Sequence, residues 1–177
     1  MKKYSLDKVI FVPVGNYYEK ENLIDAKHRY NMLELWAEDY ENLEVEKIAI
    51  ESKIKLYASD TFKLIKEKYK EDELFFIMGS DNFRKMPTWK NYEELITKYN
   101  IIVIERERKQ IRNENPENIM EYIPEQLAKI DSTKIRNMIK NNEDVKKYLN
   151  LKIYKYIKEN KLYIWMYGLV LTSPQNI

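Results

Sequence analysis

The sequence predicts an α/β fold in which a parallel β-sheet carries helices on both of its faces. Short apolar runs rich in β-branched and aromatic residues recur along the chain, and such runs are typical of buried strands. Between them lie segments whose apolar residues recur every three or four positions, which is typical of helices that pack on one side. Strands that alternate with helices form parallel sheets. Because ligands bind such sheets at the carboxyl ends of the strands, the residues that follow each strand are candidates for a functional site.

The first half of the chain contains two predicted strands and two predicted helices. Residues 8–14 (KVIFVPV) form a β-branched run that ends at Gly15, and this run predicts a buried strand. Residues 25–40 place apolar side chains on one helical face, and the alternation within residues 43–50 (LEVEKIAI) predicts a half-exposed strand. A second helix is predicted over residues 60–69, which begin with an aspartate.

The same alternation continues in the second half of the chain. Residues 74–78 (LFFIM) predict another buried strand, and residues 92–99 predict a short helix. Residues 101–104 (IIVI) predict a further strand. The charged stretch over residues 105–118 has no hydrophobic period, so we expect a surface loop there.

The composition excludes several classes of function. The 177 residues include 31 basic and 29 acidic side chains, and the net charge of +2 predicts neither nucleic acid nor a membrane as partner. The absence of cysteine excludes disulfides and thiolate chemistry. The chain starts without the apolar run of a signal peptide, and its apolar stretch over residues 162–171 is too short to span a bilayer. We therefore expect a cytoplasmic protein.

An anion-binding site is predicted where a late helix begins, at Ser132. Apolar residues follow at the i, i+3, i+4 spacing of a buried stripe within residues 135–139, and a last helix is predicted over residues 151–159. The hydroxyls of Ser132 and Thr133 and the unpaired backbone N–H groups of a first turn can donate hydrogen bonds to an anion. Arg136 lies one turn later and can reach the same point with its bidentate fork. The alternative is an ordinary helix cap followed by a surface arginine.

Three further candidates follow the predicted central strands. Gly79 lets the backbone approach a ligand closely, and Asp81 is placed to accept two hydroxyl hydrogen bonds from a ribose. Trp89 stands in a polar context, where an indole could stack on a flat ring or could simply cover the edge of the sheet. Arg106 follows the IIVI strand and is a candidate phosphate contact or a solvated charge. For Gly79 and Asp81 the alternative is a turn with a helix cap.

In this order the motifs resemble the bacterial nicotinate-nucleotide adenylyltransferases of the nucleotidyltransferase superfamily. The resemblance covers about residues 6–163 and leaves residues 164–177 as an extra tail, so we predict one nucleotidyltransferase-like domain over residues 1–163. Further matching segments are FVPVGN at 11–16, DAKHRYNML at 25–33, Tyr57 with Asp60 and Thr61, and Tyr154, Ile157, Asn160, Leu162 and Tyr163 near the end.

The resemblance implies a Rossmann-like fold and a function in NAD biosynthesis, the transfer of AMP from ATP to nicotinate mononucleotide with Mg²⁺ and release of pyrophosphate. It assigns the ATP phosphates to Ser132, Thr133, Arg136 and Arg106. It assigns the adenosine ribose to Gly79 and Asp81, and stacking on the pyridine ring to Trp89. It implies no covalent intermediate, so catalysis would consist of positioning and of neutralising charge on the phosphates.

The chain departs from the pattern of that family in its phosphate loop. Members begin with a strand that runs into G-x-F-D-P-x-H-x-G-H, whose two histidines hold the ATP phosphates. This chain has one histidine, His28, which matches the helix motif instead, so no catalytic residue and no metal ligand are assigned. The family threonine that recognises the nicotinate carboxylate falls at Ala58, and a family serine falls at Asp131.

The missing first strand would leave the strands at 8–14 and 74–78 each with an unpaired inner edge. One hypothesis places the tail residues 166–172 (MYGLVLT), from the same or a neighbouring molecule, in that gap. The tail could instead be a linker or an artefact. Three readings of the function stay open at this point. The chain could be an adenylyltransferase whose first segment this sequence lacks, or one completed by another copy or by an N-terminal peptide in a split enzyme. It could instead be an inactive nucleotide-binding or scaffold homologue, or a related transferase with another substrate.

Overall fold

The computed structural model describes residues 4–18, 23–104, 119–122 and 131–164. The chain divides into two compact units, Met1–Lys129 and Ile130–Ile177. The predicted end of the domain at residue 163 stays a prediction, because the residues beyond Ile164 lie outside the described ones.

The described strands of the first unit form two parallel sheets. In one sheet β1 (Val9–Phe11) pairs with β2 (Leu43–Val45), and Ile10 lies opposite Glu44. The other sheet has the order β3-β4-β5, with Phe76 opposite Ile101 and Ile102 opposite Met120. Its strands are β3 (Phe75–Gly79), β4 (Asn100–Ile104) and β5 (Ile119–Tyr122). The parallel pairing confirms the predicted α/β class.

Helices connect these strands and form the second unit. Asp25 caps α1 by accepting a hydrogen bond of 2.8 Å from the Lys27 backbone N–H, and Asn150 caps α7 in the same way through Lys152 at 2.8 Å. Short 3₁₀ turns occupy Met86–Thr88 and Lys146–Tyr148. The α-helices are α1 (Ala26–Ala37), α2 (Ile48–Glu51), α3 (Ala58–Lys68), α4 (Ser80–Lys85), α5 (Tyr92–Lys98), α6 (Ser132–Lys140) and α7 (Leu151–Glu159).

The main core of the first unit lies between β3, β4 and the helices beside them. A cluster of fully or almost fully buried residues forms its centre, and half-buried aromatic rings pack around it. Phe62 contacts both Phe76 and Tyr99, with ring centroids 4.8 Å and 4.6 Å apart in tilted geometry. The cluster, called the core cluster below, consists of Met78, Met86, Leu95, Ile101 and Val103.

Three predicted boundaries in the first half of the chain are wrong. The strand predicted over 43–50 ends at Val45, and the chain turns into α2, where Ala49 is buried. A residue without a side chain is needed at position 15, because a Cβ atom on Gly15 would overlap the Ala49 carbonyl oxygen. β1 stops before Pro13, which has no N–H to donate to a ladder. α3 starts two residues before Asp60, whose carboxylate accepts from the Tyr57 backbone N–H at 3.1 Å.

The two sheets have edges without a described strand partner. Among the described strands, β1 bonds only to β2 and β3 bonds only to β4, so no described strand joins the two sheets. The expectation that the first strand of the family pattern is missing stays a prediction. The tail residues 166–172 lie outside the described part of the chain, and their place in the sheet stays a prediction.

The described residues of the second unit form α6, a 3₁₀ turn and α7. Its buried apolar side chains include Ile139, Val145, Ile157 and Leu162, each at most 7% exposed. The stripe predicted for α6 is confirmed, since Ile139 is buried on the face that the i, i+3, i+4 spacing indicated. Within the described residues of both units, no helix is long and apolar enough to cross a membrane.

A buried carboxylate directly after β2 makes the stability of the first unit depend on pH. Glu46 is 8% exposed and accepts hydrogen bonds of 2.5 Å from both the Lys68 ammonium and the Tyr69 hydroxyl. Burial alone raises the pKa of Glu46, but the hydrogen bonds from Lys68 and Tyr69 outweigh it and hold the pKa below the ordinary value of 4.5. Burial and the same carboxylate raise the pKa of Tyr69.

We expect the pH dependence of stability to reveal this carboxylate. A pKa that is lower in the folded state contributes stability above the ordinary value of 4.5, and this contribution is lost as the pH falls through the folded-state pKa. Urea unfolding should therefore show that the free energy of unfolding falls between neutral and acidic pH. This fall should be smaller in Glu46→Gln. Glu41→Gln, at an exposed position, is the control and should keep the slope of the unmodified protein. Equal slopes in both variants would contradict this role for Glu46.

Candidate functional site

The first group of predicted site residues lies at the carboxyl end of β3. Gly79 is the last residue of this strand, opposite Ile104 of β4, and it directly precedes α4. Asp81 is exposed in the first turn of α4. Its side chain therefore stands at the edge of the sheet where a parallel fold binds ligands. The sequence predicted this placement from the single glycine after LFFIM.

Trp89 follows the 3₁₀ turn and is half-buried. Its backbone N–H donates to the Met86 carbonyl oxygen at 2.9 Å, and its indole packs against the core cluster. The ring centroid lies 6.3 Å from that of Phe76 at an interplanar angle of 43°. The buried part of the ring thus covers the sheet, as the alternative interpretation expected. The exposed remainder is the part that could stack on a ligand.

The loop after β1 is held by side chains that the motifs did not single out. Asn16 accepts a hydrogen bond of 2.6 Å from the Ala26 backbone N–H and donates one of 2.7 Å to Asp25. The pKa of Asp25 is lowered, first by the hydrogen bond from the Lys27 backbone and then by Asn16. The Gly-Asn pair after a strand and the aspartate cap were the available sequence signals for this contact.

Arg29 ties the same loop to α1 from the other side. Its guanidinium donates to the Ile24 carbonyl oxygen at 2.5 Å, to the Gly15 carbonyl oxygen at 3.2 Å and to the carbonyl oxygen of Val14. His28, the one histidine of the sequence, precedes it in the first turn of α1 and is half-buried. This position fits a helix residue at the edge of the core, as expected.

The second group of predicted site residues opens α6 in the other unit. Asp131 is the cap, since its carboxylate accepts from the Lys134 backbone N–H at 2.8 Å. Ser132 and Thr133 are exposed in the first turn, so the helix begins one residue earlier than a serine cap at position 132 would place it. Arg136 reaches back as expected and donates to the Thr133 hydroxyl at 3.1 Å. The hydroxyl and the guanidinium thus lie together at the positive end of a helix.

The remaining site predictions stay open. Arg106 lies outside the described residues. Gly79, Asp81 and Trp89 belong to one compact unit, and Ser132, Thr133 and Arg136 belong to the other. Over the described ranges, no group of three or more histidine, aspartate or glutamate side chains is arranged to hold a metal ion.

Comparison with known proteins now identifies the family. A family model described as cytidylyltransferase-like matches residues 1–138, more than half of the chain. The chain belongs to the cytidylyltransferase-like family. Within this family it is 33% identical to a probable nicotinate-nucleotide adenylyltransferase of Clostridium botulinum (strain Okra / Type B1), over 92% of this chain and 87% of the relative. A protein of the same name from Fusobacterium nucleatum is 34% identical, over 90% and 86% of the two chains. The family resemblance predicted from the motifs is confirmed.

Solved structures of nicotinic acid mononucleotide adenylyltransferases have a similar fold. The Plasmodium falciparum nicotinic acid mononucleotide adenylyltransferase complexed with NaAD superimposes with a TM-score of 0.72. The alignment covers 89% of this chain and 83% of that chain at 21% identity. The same enzyme complexed with APC gives a TM-score of 0.66 at 21% identity. These similarities confirm the Rossmann-like fold of a nucleotidyltransferase.

Proposed function

We propose that this protein transfers AMP from ATP to nicotinate mononucleotide and releases pyrophosphate. The observation that carries the proposal is the placement of Gly79 and Asp81 at the carboxyl end of β3, in a chain whose relatives at 33–34% identity are named for this activity. The contact between Thr133 and Arg136 at the start of α6 adds a place for phosphate.

In the proposed reaction, an oxygen of the mononucleotide phosphate attacks the α-phosphorus of ATP. A bond forms between them as the bond from the α-phosphorus to the bridging oxygen breaks, and pyrophosphate leaves with that electron pair. No group of the protein becomes covalently attached. The protein then acts by alignment of two anionic substrates and by positive charge near the phosphates.

Each predicted residue takes one part in this reaction. The carboxylate of Asp81 accepts hydrogen bonds from the adenosine ribose at the end of β3, and Gly79 permits the close approach of that nucleoside. The exposed part of Trp89 stacks on the pyridine ring. Ser132, Thr133 and Arg136 donate to the ATP phosphates, with Arg106 as a further phosphate contact.

Mg²⁺ enters this proposal as a part of the substrate. Mg²⁺ commonly keeps several waters and binds through substrate phosphates with one or two carboxylates, rather than in an all-protein cage. Magnesium would reach the site bound to the phosphates of ATP, and no residue of the chain is assigned to it.

We expect Arg136→Ala to weaken ATP binding about tenfold, because charge-assisted hydrogen bonds to phosphate each contribute about 1.5–3 kcal/mol. Binding of nicotinate mononucleotide should change less than about twofold, since the guanidinium is assigned to the phosphates of ATP. Isothermal titration calorimetry with each ligand measures both values. Lys155→Ala, at an exposed position of α7, removes one positive charge elsewhere and is the control. An equal loss for both ligands would reject the assignment of Arg136.

A second candidate function is nucleotide binding without catalysis. The observation that favours it is the single histidine, which lies in α1 and not in a phosphate loop. A binder of this kind would show ATP affinity by calorimetry but would release pyrophosphate only at the background rate. A chain with neither property would be a scaffold.

We further propose that a second polypeptide, either an N-terminal peptide or another copy of this chain, completes the active protein. The support is the pairing of the described strands, in which β1 and β3 each keep an edge without a described partner. Such edges accept an added strand readily.

A further inference from the structure

An open groove with a volume of about 390 Å³ follows the strand β2 in the first unit. Four consecutive residues, 43–46, form one of its walls. The second half of α1 contributes Glu34 and Glu38, and the end of α3 contributes Lys68. The groove is therefore bounded by a strand and by the ends of two helices. It is called the β2 groove below.

The main chain of β2 directs hydrogen-bonding groups away from β1. The Asn42 carbonyl oxygen accepts from the Val9 N–H at 2.9 Å. The Glu46 N–H donates to the Phe11 carbonyl oxygen at 2.8 Å. Because alternate residues of a strand face the same neighbour, the N–H and the carbonyl oxygen of Val45 point to the opposite side. Among the described strands β2 bonds only to β1, so no described strand meets these groups.

One face of β2 is acidic. Glu44 and Glu46 lie on it together, because the Tyr69 hydroxyl donates to both carboxylates, at 3.3 Å and 2.5 Å. Lys8 pairs with Glu44 and Lys68 pairs with Glu46, each at 2.5 Å. The lysine side chains are 42% and 54% exposed, and ion pairs at such exposure contribute little to stability. A lysine from a partner can therefore replace either of them at low cost.

The other face of β2 is apolar and lies toward α1. Val45 is opposite Phe11 in the parallel pairing, so the two side chains share a face. The Phe11 ring contacts the Trp36 ring of α1, with centroids 5.3 Å apart. Leu43 precedes Val45 by two residues and lies on the same face. An added strand would thus meet carboxylates on one side and aliphatic side chains on the other.

The charge of the β2 groove favours a basic partner over a second copy of this chain. Of the described residues that line it, four carry carboxylates and one carries an ammonium group. Lys8 adds a second ammonium group beside Glu44, which leaves an excess of two negative charges. In a two-fold antiparallel pairing over the length of β2, Glu44 would lie opposite its own copy. Like charges directly opposite each other destabilise such a pair.

We propose that the β2 groove binds an extended segment of a partner protein in which basic residues alternate with apolar ones. The segment adds to β2 as a further strand, and its main chain pairs with the outward groups of Val45. Its basic side chains reach Glu44 and Glu46, and its apolar side chains lie beside Leu43 and Val45. The inference goes beyond the proposed function and does not depend on it, since adenylyl transfer uses other residues.

Fluorescence anisotropy with a labelled peptide of alternating lysine and valine tests the proposal. The unmodified protein should bind this peptide. A peptide of alternating glutamate and valine should bind at least about tenfold more weakly, because its charge repels the carboxylates of the groove. The lysine–valine peptide with N-methylated amides keeps the charges but loses main-chain donors, and it should also bind at least about tenfold more weakly.

Variants of the protein locate the binding site. Glu38→Gln/Glu44→Gln removes two carboxylates of the β2 groove and leaves the buried Glu46 in place. It should bind the lysine–valine peptide about fivefold more weakly, as expected for two partly exposed charges. Glu93→Gln/Glu159→Gln, at exposed positions of α5 and α7, removes the same charge elsewhere. This matched control should bind as the unmodified protein does.

Each remaining outcome would overturn the proposal. A lysine–valine peptide that does not bind, or that binds equally well when N-methylated, would exclude the added strand. Equal affinities of Glu38→Gln/Glu44→Gln and of the control variant would exclude the β2 groove as the site. If light scattering shows a dimer that the lysine–valine peptide dissociates, the occupant of the groove is a second copy of this chain.

Discussion

Joining a segment that contains a strand and G-x-F-D-P-x-H-x-G-H to the start of this chain is expected to raise kcat for adenylyl transfer by about 10⁴-fold. Each preorganised donor to a developing phosphate charge contributes about 10²–10³ in rate, and that motif supplies two histidines. The 177-residue chain has one histidine, in α1, so it lacks both donors. Pyrophosphate release with ATP, Mg²⁺ and nicotinate mononucleotide measures the gain.

A matched control separates the histidines from the strand that carries them. The same segment with both of its histidines replaced by asparagine should restore strand pairing but little of the rate. ATP affinity should rise less than kcat, because the histidines act most strongly on charge that develops during the reaction. If the asparagine segment gives the same rate as the histidine segment, the chain does not need histidines for transfer, and the predicted phosphate loop is wrong.

Leu95→Ala is expected to lower the free energy of unfolding by about 3 kcal/mol, since removal of a fully buried leucine side chain costs about 2–5 kcal/mol in lost burial and cavity formation. Leu95 is 0% exposed in α5 and belongs to the core cluster between β3, β4 and the helices. Urea unfolding followed by circular dichroism gives the value.

Leu64→Ala is the matched control for that experiment. Leu64 lies on α3 in the same unit and is 38% exposed, so its truncation should cost less than about 1 kcal/mol. Similar losses in the two variants would contradict the placement of the core around Leu95.

Periodic patterns predicted the long elements well. The last helix occupies the predicted residues 151–159, and β4 lies within one residue of its predicted start. In both cases the local pattern and the tertiary packing agree. β5 was not predicted, because IMEY is short and becomes a strand only through pairing with the distant β4. The alternation at 43–50 misled, because the chain leaves the sheet after Val45 and Ala49 is buried in a short helix instead of a strand.

The site was predictable where its contacts are local. The spacing of Thr133 and Arg136 predicted that the guanidinium reaches back over the first turn of the helix, and in the structure it donates a hydrogen bond to the Thr133 hydroxyl. The contact of Lys90 with Tyr57 joins residues far apart in the sequence, and no spacing rule indicates it. The hydrogen bonds from Arg29 to three carbonyl oxygens were equally unpredictable. Every residue has a backbone carbonyl, so the sequence does not indicate which of them accept.

The close approach of Gly15 to Ala49 limits how this sequence can change. The obstacle to a side chain at position 15 is a carbonyl group of the main chain, which every amino acid at position 49 would present. No second substitution nearby can therefore make room, and only a displacement of α2 would do so. Related chains could therefore differ in the neighbouring side chains and still keep glycine at position 15. Glycine would be kept there because of its contact with another segment, and not because of an unusual torsion angle.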